Sequence, residues 1–338
     1  MSDLLARLLR EKPYLIADGA MGTSLFALGL ETGDSPEPWN DTHPDRVAAV
    51  HQGFVDAGAD IVLTNSFGGS RHRLKLHRAE DRVGELNETA ARIACEVART
   101  AGRDIVVAGD IGPTGELFEP LGPLTRSEGE DAFGEQARAL AAGGADVIWI
   151  ETMSSPEELA AAVAGAAPTG LPIVCTMTFD TAGRTMMGVT PEEAAAFCRG
   201  LDPAPIAYGA NCGNGPAELV NAVVGLGRAA GPDDVLVAKG NCGIPDYVDG
   251  AIRYSGTPEI MARYAHMARD AGARIIGACC GSTPEHLGAM VAALEDYKPE
   301  PAPGVGEIEA NLGPLASPAA RRGGGRAAPQ HRRRRRGR

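Results

Sequence analysis

A chain of 338 residues, 44% hydrophobic and 4% aromatic, is long enough to bury a sizeable core, and it holds no run of eighteen apolar residues that could span a membrane. The formal charge of −12 hides an asymmetry. Nine arginines and no acid lie in 321–338, which leaves 23 basic against 44 acidic side chains in the preceding 320 residues, a formal −21. Such an acidic body repels a phosphate backbone, so nucleic acid is not the expected partner and only the arginine-rich tail could attract it.

The first residues show no basic-then-apolar leader, and a cytoplasmic location is expected. The seven cysteines (Cys95, Cys175, Cys198, Cys212, Cys242, Cys279, Cys280) are odd in number, in a chain too long to need disulfide staples. They read as reduced thiols, open to metal or nucleophile roles.

Short β-branched runs alternate with amphipathic stretches along the chain. The runs are LIADG (15–19), DIVLTN (60–65), DIVVAGD (104–110), DVIWIET (146–152), IVCTMTF (173–179), IAYGANC (206–212), VLVAKGN (235–241) and RIIGACC (274–280). Between them lie helix-forming segments such as HPDRVAAVHQGFVDAG (43–58), GEDAFGEQARALAAG (129–143), SPEELAAAVAGAA (155–167) and TPEIMARYAHMARDAG (257–272), each long enough to cross over a parallel sheet. AGADIVLTN, GGADVIWIE and AGARIIGAC repeat one scheme, a small turn between a helix and a buried strand. Eight such units predict a (β/α)8 TIM barrel over residues 1–298, with a doubly wound open sheet as the alternative. No GxGxxG follows the first run, which counts against the open sheet. Residues 299–338 read as a Pro/Gly/Ala-rich extension followed by a solvated, disordered basic tail.

Each run turns polar or cysteine-rich at its carboxyl end: Asp18, Asn65, Asp110, Glu151, Thr178, Asn211 with Cys212, Asn241, and Cys279 with Cys280. In a barrel these ends converge on one face, where the chemistry of such folds resides. Three thiols from the sixth and eighth runs could then surround one point, and three sulfurs suit tetrahedral zinc with the fourth position left open. Adjacent cysteines cannot share a direction on a regular strand, so the chain must leave strand geometry there, and Gly277 and Gly281 allow it. Cys242, in KGNCGIP, is a spare ligand by the same spacing, while Cys95 and Cys198 look structural and Cys175 should face core or barrel interior. Three thiolates on Zn²⁺ leave a net −1, a poor activator of water but one that keeps a bound sulfur electron-rich. A thiol substrate and alkyl transfer follow from that chemistry.

The motifs DGAMGT (18–23), GADIVLTNSF (58–67), GPTGE (112–116), IET (150–152), GANCG (209–213) and GACCGSTPEH (277–286) resemble the homocysteine S-methyltransferase family over about residues 15–294. The chain looks most like the bacterial betaine-homocysteine S-methyltransferases, and YSGTPE and GRTMMG also resemble the homocysteine module of cobalamin-dependent methionine synthase. The resemblance implies a zinc-binding barrel that methylates homocysteine to methionine, with Cys212, Cys279 and Cys280 as ligands. It further implies that Asp18 and Glu151 hold the substrate ammonium. The backbone N–H groups around Gly19, Ala20, Met21 and Gly22 would receive its carboxylate. GPTGE reads as a turn shaping the cleft floor and DTAGRTMMG as a hairpin-like loop or lid; His72 is given no role.

By the same resemblance Trp39 would contact the methyl donor, betaine, whose quaternary ammonium favours aromatic faces. Gly68 and Thr152 stand where animal betaine enzymes carry tyrosines, so the aromatic cage is incomplete unless Tyr208, Tyr247 or Phe179 substitutes. The alternative is a homocysteine-activating module of a split methionine synthase, partnered by a corrinoid protein. A third reading, from another class, is a non-catalytic zinc protein with a nucleic-acid-binding tail. Association into a homo-oligomer is compatible with all three.

Overall fold

The computed structural model describes residues 4–31, 33–243, 245–248 and 251–315. The arginine-rich tail and the side chain of Tyr247 therefore lie outside the described residues. Eight parallel strands form the centre: β1 (Leu15–Ile16), β2 (Ile61–Leu63), β3 (Val106–Ile111), β4 (Val147–Met153), β5 (Ile173–Met177), β6 (Ala207–Cys212), β7 (Leu236–Gly240) and, after a hairpin of β8 (Pro245–Val248) and β9 (Ala251–Tyr254), β10 (Ala273–Ala278). Their order is β1-β10-β7-β6-β5-β4-β3-β2, and a parallel bridge from Ala17 to Ile61 joins the two ends. The sheet is thus a (β/α)8 barrel rather than an open sheet, as the eight alternating runs predict.

The interior is filled in layers. Leu15, Ile61, Val106, Val147 and Val235 lie towards the amino-terminal end, with Ala17, Leu63, Ala108, Trp149 and Val237 above them. The amino-terminal helix Leu4–Glu11 adds Leu5, Leu8 and Leu9 to this cluster and plugs the barrel's bottom. Trp149 is fully buried in this layer, and glycines allow the closest approaches between strands. Gly209 is the tightest, since a Cβ there would stand 2.0 Å from the Val237 carbonyl oxygen. Gly209→Ala is expected to lower stability by roughly 1–3 kcal/mol, read as a lower urea midpoint at unchanged slope.

The helices form the outer layer. Capping boxes at Thr125 with Glu128 and Thr190 with Glu193 fix two helix starts on the carboxyl-terminal side of the strands. Among the described residues no helix is long and apolar enough to cross a membrane. The part of the extension up to residue 315 packs on the barrel: the helix Val305–Leu312 buries Ile308 and Leu312 beside the helices Pro216–Ala229 and Pro258–Asp270. The β8–β9 hairpin was not among the predicted strands, although the Asp249–Gly250 pair between them is a hairpin-turn signal in sequence.

Candidate metal centre and substrate cleft

Cys212 closes β6 in a left-handed conformation, φ +62°, and Gly213 follows at +80°. Cys279 continues the ladder, donating its N–H to the Gly240 carbonyl at 2.8 Å, after which the chain turns away. At Gly281, with φ +80°, a Cβ would stand 2.1 Å from the Tyr254 ring, so only glycine lets the turn lie against that ring. Asn241 ties the two segments together. Its amide donates to the Gly213 carbonyl at 2.8 Å and to Cys212 Sγ at 3.4 Å, while its Oδ1 accepts the Cys280 N–H at 3.0 Å.

The Sγ atoms of Cys212, Cys279 and Cys280 lie within 4.8 Å of one another. Tetrahedral zinc, with Zn–S near 2.3 Å, wants sulfurs roughly 3.8 Å apart, so this donor set fits it with little movement. Its electrostatics point the same way. Hydrogen bonds from Cys279 and Cys280, with help from Asn241, pull the Cys212 thiol down to about 3. The bond to Cys212 pushes Cys279 up to about 12, and the bonds to Cys212 and Cys279 raise Cys280 further. The shared hydrogen bonds thus favour the thiolate at Cys212, and a cation bound among the sulfurs would displace their remaining protons to solvent. Asn241→Ala should weaken metal affinity about 10–100-fold with all three sulfurs retained, measured by competition with a chelator.

Beneath the sulfurs the barrel floor is charged. Lys239 on β7 crosses the barrel, its Nζ 3.3 Å from Glu151 Oε2 and 3.6 Å from Asp18 Oδ1, above the Trp149 ring at 5.5 Å. Asp18 is further held by the Leu63 N–H at 2.7 Å. Burial pushes the Asp18 carboxyl up to about 7 against the opposing pull of Lys239. Burial likewise raises Glu151, and it raises Asp110 well above the usual range with Glu151 adding to the effect. Burial opposes the charge on Lys239, but Glu151 and Asp18 outweigh it and leave its pKa raised. Three buried carboxyl groups, Asp18, Glu151 and Asp110, thus share one internal ammonium, and neither Asp18 Oδ1 nor Asp110 Oδ1 has a hydrogen-bond partner among the described residues. Asp110 is one of the polar strand ends read from the sequence, whereas Lys239, a lysine inside an otherwise apolar run, is not among them.

The three sulfurs, Asp110 and Glu151 open into one cleft of about 550 Å³, also lined by Gly19, Ala20, Met21 and Gly22, whereas Asp18 lies behind Lys239 and does not itself line it. The Ala20 N–H already donates to Ser282 Oγ at 2.9 Å. That leaves Met21 and Gly22, in the first turn of the helix Met21–Ala27, with N–H groups that no intrahelical carbonyl accepts. Asn211 is spent locally: its Oδ1 accepts from Thr152 N at 2.9 Å and Thr176 Oγ1 at 2.7 Å, which pins Thr152 at φ +64°. The GPTGE turn is anchored by Glu158, which accepts from Thr114 N and Oγ1. Thr181 and Arg184 pair as the expected hairpin-like turn.

Trp39 does not line this cleft. Its ring is buried in the helical layer, 4.5 Å from the His43 ring with the Arg46 guanidinium 5.1 Å away, because the largest apolar side chain of that loop gains most from leaving solvent. Tyr208 points outward to Asp234, Phe179 is buried in the core, and neither reaches the cleft. The aromatics that do line it are Phe26, Phe67 and Tyr254. Cys242 is buried outside the sulfur cluster, its thiol raised to about 12 by burial. Cys175 and Cys198 face each other at 3.7 Å in the core.

A family model described as homocysteine S-methyltransferase matches residues 15–294. Methionine synthase of Mycobacterium tuberculosis is 32% identical over 302 residues, 84% of this chain and 25% of that protein. Methionine synthase of Mycobacterium leprae is 30% identical over 311 residues, 87% of this chain and 25% of that protein. The chain therefore spans about a quarter of the length of these relatives. The metallated form of the homocysteine methyltransferase MmuM from Escherichia coli shares the fold, with a TM-score of 0.72 at 23% identity over 86% of this chain and 99% of that one.

Proposed function

The chain belongs to the homocysteine S-methyltransferase family, and on that premise we propose that it binds zinc through Cys212, Cys279 and Cys280 and transfers a methyl group from betaine to homocysteine. The observation that carries this reading is the convergence of three sulfurs and the carboxyl groups of Glu151 and Asp110 on one cleft. Zinc, when bound, supplies a cation at which a thiol loses its proton near neutral pH while its sulfur stays nucleophilic.

The chain's own residues do the rest. Asp18 and Glu151 receive the homocysteine ammonium, which offsets the charge that Lys239 leaves unbalanced. The free N–H groups of Met21 and Gly22 take the carboxylate. Held at both poles, the amino acid has only its side chain left to reach the sulfurs. The homocysteine sulfur contributes the electron pair of the new S–CH₃ bond; the C–N bond of betaine breaks with its pair retained on nitrogen, giving dimethylglycine and methionine. The thiol proton passes to solvent. In-line attack requires the donor on the open side of the cleft, which the loops after β1 and β2 border.

A second reading is favoured by the two methionine synthase relatives, of which this chain spans a quarter: a homocysteine-activating module that receives its methyl group from a corrinoid protein. Methionine formation by the zinc-loaded chain, without any corrinoid, separates the two. Turnover with betaine, a dimethylsulfonium compound or S-methylmethionine supports an onium donor. Protein that holds zinc and turns over none of them supports the corrinoid partner.

A further inference from the structure

Two charged side chains of the cleft take no part in holding homocysteine. Glu37, in the loop after β1, is 2% exposed. Its carboxylate accepts the Gly68 N–H at 2.6 Å and the Ser35 hydroxyl. Among the described residues no Lys, Arg or His lies within ion-pair distance of it. A buried carboxylate with hydrogen bonds but no counter-charge retains part of its desolvation cost, and a cationic ligand would offset that cost.

The space this carboxylate fills is created by Gly68. A Cβ on residue 68 would stand 2.9 Å from Glu37 Oε1 and 3.4 Å from Oε2, so a side chain at 68 would displace the Glu37 carboxylate from this position. A tyrosine here would offer an aromatic face to the cleft; the glycine offers a negative charge instead. An onium group has no N–H or S–H to donate, and a carboxylate answers its diffuse positive charge as an aromatic face does.

Arg73, on the short helix Arg71–Leu74, lines the same cleft and is exposed. Among the described residues no carboxylate pairs with its guanidinium. The side chain runs over Gly115, where a Cβ would stand 3.3 Å from Nη1. The cleft therefore presents a buried anion and an exposed, unpaired cation fork suited to a carboxylate.

We propose that Glu37 and Arg73 form the methyl-donor subsite, and that they select a donor which is itself a zwitterion, with its onium centre beside Glu37 and its carboxylate on Arg73. The proposal rests on the methyl-transfer reading of the cleft and assigns its donor side to charge complementarity in place of an aromatic cage.

The test is calorimetric titration of the zinc-loaded chain, with homocysteine present, by two probes: betaine, which carries both charges, and tetramethylammonium, which carries only the onium. Glu37→Gln is expected to weaken both about tenfold or more, the scale of a hydrogen-bonded charge contact. Arg73→Met is expected to weaken betaine about tenfold and to leave tetramethylammonium within about twofold. The homocysteine KM should stay within about twofold in both variants. Should Glu37→Gln fail to fold, the betaine-against-tetramethylammonium contrast in Arg73→Met, at an exposed position, decides alone. Unchanged betaine affinity in either folded variant, or no binding of either probe by the wild type, overturns the subsite. Methionine formed from betaine with both variants unaffected overturns the subsite and spares the methyl-transfer reading. Binding with the expected contrasts but no methionine supports the subsite and overturns betaine as donor.

Discussion

Cys212→Ala, Cys279→Ala and Cys280→Ala are each expected to lower bound zinc from about one per chain to near zero, and to cut methionine formation by more than about a hundredfold. The three sulfurs lie within 4.8 Å of one another, and removing any one leaves two ligands where tetrahedral zinc needs three plus substrate. The fold should survive, because the segments carrying the sulfurs are also held by Asn241, the Cys242-to-Cys280 backbone bond and Ser282. Metal analysis alongside circular dichroism separates loss of ligand from loss of structure. A Cys242→Ala control should keep its zinc, since that thiol lies outside the cluster. Stoichiometric zinc with normal turnover in any of the three ligand variants would sink the assignment of that cysteine.

The second large effect is expected from Lys239→Met. The lysine is 2% exposed between Asp18 and Glu151, and its removal leaves two buried carboxylates without their cation, a loss of about 3–5 kcal/mol for a broken buried pair. The sign of the pH dependence follows from the carboxyls. Asp18 titrates at about 7 in the folded chain against 3.8 for the free side chain, and without Lys239 it would rise further. A carboxyl whose folded pKa lies above its unfolded value favours the folded state below the unfolded value. That contribution is lost as pH rises through the folded one, because the unfolded chain releases the proton first. The variant's deficit should therefore be small near pH 4–5 and largest near pH 8, in denaturant titrations at both. If the homocysteine ammonium binds these carboxylates as proposed, homocysteine should raise the melting temperature of the variant more than that of the wild type. A variant as stable as the wild type at pH 8 would show that the lysine is not needed to neutralise the floor.

Much of this molecule was legible before any tertiary structure. Parallel strands buried on both faces must be short apolar runs, and the crossovers between them must be helical, so VVAGDI, VIWIE and RIIGA announced themselves by composition. The sulfur site was legible for a related reason: a chain that puts two cysteines side by side between glycines at a strand end has left regular geometry there, and a third cysteine closes another strand. What the sequence left open was direction. Lys239 sits in a run read as an apolar strand, and only barrel closure turns it inward to meet Glu151, 88 residues away. Trp39, the first residue of the helix Trp39–Thr42, stands two residues from Glu37, and the fold buries the ring among helices while giving the carboxylate to the cleft. Local pattern determined which segments become strands and helices, because that depends on spacing of three or four residues. Which side chain faces the barrel axis, and which charges must be balanced there, depended on contacts between distant strands, and the tertiary structure alone decided it.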